Sequence, residues 1–159
     1  MSKPEKPAIT ALEAPPRAVR SSYPPVYAVR MQGRTKRPLG DLFGLQNFGV
    51  NLTTLDPGAS SSLKHRHSEQ DEFVYVVQGR PTLVVGDQEV ELSPGMCAGF
   101  PKRGQAHVLV NRTLEPCTYL EVGDRSKGDT VDYPDDDIKG ELGADGKWGF
   151  RHKDGRPFD

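Results

Sequence analysis

Between residues 48 and 122 the chain is written in short stretches that alternate apolar and polar positions, separated by glycine and proline. Phe48, Val50, Leu52 and Thr54 alternate with Gly49, Asn51 and Thr53, the period of a strand with one buried face. Asp56-Pro57-Gly58 predicts a turn. Phe73-Val74-Tyr75-Val76-Val77 is a β-branched and aromatic run, closed by Gln78-Gly79-Arg80-Pro81. Thr82–Val85 and Glu89–Leu92 flank Gly86-Asp87, which predicts a tight hairpin. Ser93-Pro94-Gly95 predicts the next turn, and short strands over 96–100, 106–111 and 117–122 follow. About eight strands at such regular spacing predict an all-β barrel or jelly roll. No stretch carries a sustained helical period.

The flanks read differently. Residues 1–44 form an N-terminal arm in which six prolines precede Val26, and eight Lys and Arg stand against two Glu over residues 1–40. Its first twenty or so residues are expected to be extended or disordered, and Tyr23–Val29 to add a short strand to the main sheet or to a partner. Residues 45–123 are the barrel. Residues 124–159 are a polar C-terminal extension with an acidic run, Asp132, Asp135, Asp136 and Asp137, expected to be a solvated loop. The opposite charges of arm and extension allow a contact between them. Trp148 reads as an anchor for the extension, and His152, among Lys and Arg, as exposed.

Composition narrows the class. The 17 Gly and 14 Pro among 159 residues exclude a helical bundle. A membrane span needs about 20 apolar residues in succession, whereas the longest run here is the five of Phe73–Val77; no membrane partner is expected. The net charge of −1, from 21 Lys+Arg and 22 Asp+Glu, supplies no general field for nucleic acid. Cys97 and Cys117 are too few for a disulfide framework and are expected as small buried residues. With no apolar segment in the leading MSKPEKPA, the expected setting is cytoplasmic.

The chemistry lies in the histidines. His65 and His67 are spaced i, i+2, which on a strand places both imidazoles on one face. Glu72 opens the apolar strand, and His107 opens another. Three imidazoles and a carboxylate suit a divalent transition ion such as Fe, Mn, Ni, Cu or Zn. The His-x-His pair alone also fits two surface residues in a turn, and Ser60-Ser61-Ser62 just before it looks like loop. Lys64 and Arg66 alternate with the histidines and so point to the other face.

The longer strings are more specific. Gly58-x6-His65-x-His67-x4-Glu72-x6-Gly79 is followed by Gly95-x5-Pro101-x2-Gly104-x2-His107-x3-Asn111. In this order they resemble the two motifs of the cupin superfamily, in particular its short single-domain bacterial members, over roughly residues 45–123. Two departures are single extra residues, one before His65 and one between Pro101 and Gly104, both in turns where an insertion costs little. Phe150-x-His152-Lys153-Asp154-Gly155-x-Pro157 also looks like the end of such proteins.

The resemblance implies a double-stranded β-helix, a metal held by His65, His67, Glu72 and His107, and a homodimer. It leaves one or two coordination positions for water, dioxygen or substrate. Met96, Phe100 and Asn111 are candidates for the pocket wall, with a structural hydrogen bond the plainer role for Asn111. Two functions remain open: an enzyme acting on a small molecule, as a sugar or sugar-phosphate isomerase or an oxygenase, or a non-catalytic small-molecule-binding or sensing barrel. No residue is assigned as general acid or base, since either Tyr119 or Glu121 is free to face outward.

Overall fold

Val74 and Val76 are buried while Phe73, Tyr75 and Val77 between them are exposed, so the apolar run is a strand with one face in a core. In the computed structural model, which describes residues 7–159, twelve such strands form. They are β1 (Arg34–Pro38), β2 (Phe48–Leu55), β3 (Arg66–His67), β4 (Glu72–Gln78), β5 (Thr82–Val85), β6 (Gln88–Glu91), β7 (Cys97–Phe100), β8 (His107–Val110), β9 (Cys117–Asp124), β10 (Thr130–Asp132), β11 (Lys139–Leu142) and β12 (Trp148–Arg151). Two four-residue helices, α1 (Pro25–Ala28) and α2 (Leu39–Leu42), accompany them.

A five-stranded sheet, β1-β2-β9-β4-β7, and a three-stranded sheet, β6-β5-β8, make the all-β barrel. Leu55, Val74, Val76, Phe100 and Tyr119 from the first meet Leu83 and Leu109 from the second in one core. The Gly86-Asp87 hairpin is present, with Val85 paired to Gln88. Gly79 closes the end of β4 at φ +78°, and a Cβ there would lie 2.6 Å from that of Cys117; the position needs glycine on both counts.

The flanks are more ordered than their composition predicts. The strand expected over Tyr23–Val29 is instead α1 followed by a 3-10 turn over Val29–Met31. Pro25 at the first helical position explains this, because its fixed φ favours a helix start and it has no N–H for a ladder. The strand that joins the sheet is β1, antiparallel to β2 with Lys36 opposite Thr53. Upstream of it the arm lies on the barrel: Arg17 N–H donates to Lys36 O at 2.8 Å, and Arg37 Nε to Leu12 O at 3.2 Å. The part of the extended-arm expectation that falls on residues 1–6 lies outside the described residues.

The C-terminal extension folds into a third sheet, β12-β11-β10-β3. Val131, Tyr133 and Ile138 are buried with Met31 and Leu63 in a second core, packed by Tyr23, Tyr27, Trp148, Phe150 and Phe158. The acidic run is therefore not a free loop. Asp132 lies in β10 and pairs with Arg66, Asp136 pairs with Arg30 of the arm, and Asp137 accepts from His152 at 2.8 Å. His152, expected exposed, is half-buried and stacks on Phe158 with ring centroids 4.0 Å apart. Of the cysteines, Cys117 is buried as expected. Cys97 is exposed, because its register opposite Tyr75 puts it on the outer face of edge strand β7.

Candidate metal centre

The third sheet positions His67, and the barrel positions His65 and His107. β3 pairs with β10, setting His67 opposite Val131, and a bridge sets His65 opposite His107 at the start of β8. Glu72 enters from the first residue of β4, opposite Gly123 and Phe100. The three imidazole Nε2 atoms converge on Glu72 Oε2, at 3.3 Å from His65, 3.4 Å from His67 and 3.0 Å from His107. One donor atom from each of His65, His67 and Glu72 lies within 4.8 Å of the other two.

Hydrogen bonds select the tautomers. His65 Nδ1–H donates to Leu63 O at 2.9 Å, with the Ser62 hydroxyl 3.1 Å away. His67 Nδ1–H donates to Asp129 Oδ2 at 2.5 Å. Both partners can only accept, so each Nε2 presents a lone pair to the centre. Asp129 is itself 1% exposed, and its Oδ1 accepts from the backbone N–H of Ser68 (3.0 Å) and of Glu69 (2.8 Å). His107 is held differently. Its ring lies flat on Phe100 with centroids 3.6 Å apart, and its buried Nδ1 has no hydrogen-bond partner.

Protonation follows from these surroundings. Burial opposes ionisation of Glu72, but the imidazoles of His107, His65 and His67 outweigh it and hold the carboxyl well below the usual carboxylate range. Burial pushes the His107 imidazole below its ordinary value, against the pull of Glu72. An ionised carboxylate beside neutral imidazoles is the form that binds metal. Ligands about 2.1 Å from one ion stand roughly 3.0 Å apart at right angles and 3.4 Å apart in a tetrahedron. The spacings around Glu72 Oε2 lie in that range. The donor set fits a divalent ion.

The cluster opens into a cavity of about 250 Å³. A wider vestibule of about 990 Å³ adjoins it, and Arg17, Ser22, Gln70, Glu72, Glu121 and Trp148 line both. Phe100 lines the inner cavity; Met96 and Asn111 do not. Met96 is exposed in the turn before β7, its sulfur against Ser93 N–H. Asn111 is buried and donates to Leu55 O and Glu115 O while accepting from Thr113, a clamp on the turn after β8. Tyr119 and Glu121 both face inward, as residues two apart on a strand must. Lys36 pairs with Glu121 inside the cavity.

Two features escaped the sequence reading. Asp129 stands before Thr130-Val131-Asp132-Tyr133, whose period of two is a strand signal hidden by the acidic run beside it. In the turn with the extra residue, Arg103 adopts φ +60°, donates its N–H to His67 O at 2.7 Å and pairs with Glu69 at 2.6 Å. The insertion thus fastens the β7–β8 turn to the His67 strand.

The comparisons with known proteins bear on the fold and the family. The cupin domain family matches residues 51–123. No curated protein matches the sequence. Among solved structures, a sugar phosphate isomerase of the cupin superfamily from Silicibacter pomeroyi is 43% identical. The alignment covers 96% of this chain and 97% of that one, with a TM-score of 0.89. A putative sugar phosphate isomerase from Acidithiobacillus ferrooxidans is 28% identical over 86% of this chain and 95% of its own, with a TM-score of 0.71. A polyketide cyclase from Streptomyces resistomycificus, 23% identical over 74% of this chain and 78% of its own, shares the fold at a TM-score of 0.61. Matched by the cupin domain family over residues 51–123 and by a 43% identical cupin-superfamily structure over nearly its whole length, the chain belongs to the cupin superfamily.

Proposed function

We propose that this cupin is a metal-dependent isomerase acting on a small sugar phosphate, with His65, His67, Glu72 and His107 as ligands of one divalent first-row transition ion. The observation that carries the metal assignment is the convergence of three Nε2 atoms on Glu72 Oε2 within 3.4 Å. The 43% identical isomerase supports the choice of reaction. When bound, the ion would polarise a substrate carbonyl or hydroxyl oxygen.

The protein groups around it have separate tasks. Glu121, oriented by Lys36 and by Asn51 Nδ2 at 3.1 Å, is the carboxylate available to accept a proton from substrate carbon. Tyr133 has its ring centroid 6.0 Å from that of His65. Burial pushes its phenol well above the usual range, with Tyr23 beside it acting in the same direction, so it stays protonated and donates to a substrate oxygen. Phe100, Trp148 and Phe150 narrow the cavity against water.

The outer face of the five-stranded sheet is assigned to a second copy of this chain. Phe73, Tyr75 and Val77 are 42, 42 and 48% exposed in a row on β4, beside the free edge of β7. Two free cysteines support a reducing, cytoplasmic setting.

Elemental analysis of protein purified without an affinity tag tests the metal, with about one divalent ion per chain expected. Isomerisation assays on a panel of aldose and ketose phosphates test the reaction, with Glu121→Gln expected to abolish turnover at unchanged metal content. Protein that binds no metal, and gains no thermal stability from any of the candidate ions, refutes the metal reading. Metal-loaded protein that binds the sugar phosphates without converting them supports a binding barrel instead.

A further inference from the structure

The sheet register brings a second polar group into the same cavity. Lys36 of β1 stands opposite Thr53 of β2, and Thr53 opposite Tyr119 of β9, a cross-strand row with Arg34 two residues along β1 from Lys36. Arg34, Lys36 and Tyr119 all line the cavity that holds the histidines.

Arg34 is 8% exposed. Its Nη1 donates to Ser61 O at 2.6 Å and to the Met31 sulfur, and its Nη2 to Arg20 O at 2.6 Å. Among the described residues its hydrogen bonds reach no carboxylate, and its buried Nε has no partner. A buried cation without a counter-charge is costly, and carbonyl oxygens alone do not neutralise it. A neutral amide would satisfy the same carbonyls, so the positive charge and the Nε–H are left without a use within the chain. The Tyr119 hydroxyl and Thr53 Oγ1 are likewise buried, with only each other within reach. Burial holds the Tyr119 phenol well above its usual range, so it presents a proton to a ligand rather than a charge. Lys36 is already paired with Glu121, which leaves Arg34 as the uncompensated cation of this wall.

We propose that Arg34 and Tyr119, with Lys36 beside them, form an oxyanion subsite in the metal cavity that takes the phosphate or carboxylate group of the substrate. The inference rests on the reading of the cavity as a substrate site and assigns which wall holds the anionic end. Charge-assisted hydrogen bonds from a guanidinium and a phenol are the donors such a group requires.

Titration calorimetry with inorganic phosphate and, separately, with acetate tests it on the protein as purified. The wild type is expected to bind one of the two, and the one bound identifies the substrate's anionic group. Tyr119→Phe, which keeps the ring and its packing, is expected to weaken that binding about tenfold. Arg34→Gln is expected to abolish it. Stripping divalent ions with a chelator, which leaves every side chain in place, is expected to leave it unchanged. Binding of neither anion overturns the proposal. So does binding that is unchanged in Tyr119→Phe, or that is lost on chelation, since the anion then sits on the metal. Anion binding that depends on Tyr119 in a protein found to hold no metal upholds the subsite while refuting the metal centre. If Arg34→Gln fails to fold, Tyr119→Phe still decides.

Discussion

His67 and His107 contribute equivalent nitrogen atoms to the cluster, yet the protein orients them by opposite means. His67 is fixed by a hydrogen bond to Asp129, a carboxylate buried at 1% exposure and anchored by the N–H groups of Ser68 and Glu69. His107 has no partner at Nδ1 and is held by the flat face of Phe100 and by its place on β8. A hydrogen bond fixes tautomer and angle together, whereas stacking fixes the ring plane and leaves the tautomer free. The first device raises ligand basicity and the second does not. The His67 half depends on the C-terminal sheet, and the His107 half on the barrel alone.

The largest break in this comparison is expected from Asp129→Ala. Losing the carboxylate behind a ligating histidine weakens metal binding by roughly 10- to 100-fold. It also removes the acceptor of the half-buried N–H groups of Ser68 and Glu69, at a cost on the order of 1 kcal/mol each. Metal titration and chemical denaturation measure the two effects, and Asp129→Asn, which can still accept at one oxygen, should lie between alanine and wild type. Unchanged metal affinity in Asp129→Ala would sink the division of roles.

Phe100→Leu comes next. Removing the stacked ring should cost about 1–2 kcal/mol of stability and only a few-fold in metal affinity, because packing constrains His107 less sharply than a hydrogen bond constrains His67. A loss of metal affinity larger than that of Asp129→Ala reverses the comparison.

Acid sharpens it further. The folded-state values of His107 and Glu72 both lie below their ordinary values, so each binds protons more readily in the unfolded chain. Their stabilising contributions are present above those ordinary values and disappear as pH falls through the folded ones. Metal-free protein should therefore lose thermal stability on acidification below about pH 6.5, the imidazole value, and more steeply below about 4.5, the carboxyl value. A melting temperature that is flat from pH 7 to pH 4 contradicts this. Metal should shift the whole profile upward and be released as the imidazoles protonate.

The smallest effect is expected at the arm–extension contact. Arg30 is half exposed and pairs with Asp136 at 2.5 Å. Arg30→Ala should change stability by less than about 1 kcal/mol and leave metal affinity alone. Salt titration of the wild type should show the same insensitivity.

How much of this was legible in advance differs by region. The strands from Phe48 to Val122 alternate cleanly because one face of each meets a core, and that alternation places Val74, Val76 and Leu109 inward without further information. The convergence of His65, His67, Glu72 and His107 follows from motif spacing, since turns of fixed length between paired strands leave little choice of register. The extension was misread because its strands are three or four residues long and its charges suggest solvent. Only pairing with β3 gives Val131 and Tyr133 something to bury against. Likewise, residues two apart on β9 share a face by geometry alone, but which face is settled by packing, and Tyr119 and Glu121 go inward.

An all-β chain with turns at Pro57-Gly58, Gly79 and Pro94-Gly95, and a histidine and glutamate set spaced for one centre, can be read along the chain. Period-two patterning and turn chemistry are local, and local rules can be read from neighbours along the chain. Folding in three dimensions puts Asp129 behind His67, Phe100 on His107, and a buried Arg34 at the same cavity. Those are contacts between residues up to 62 positions apart, created by sheet pairing and burial, for which no nearby residue carries a signal.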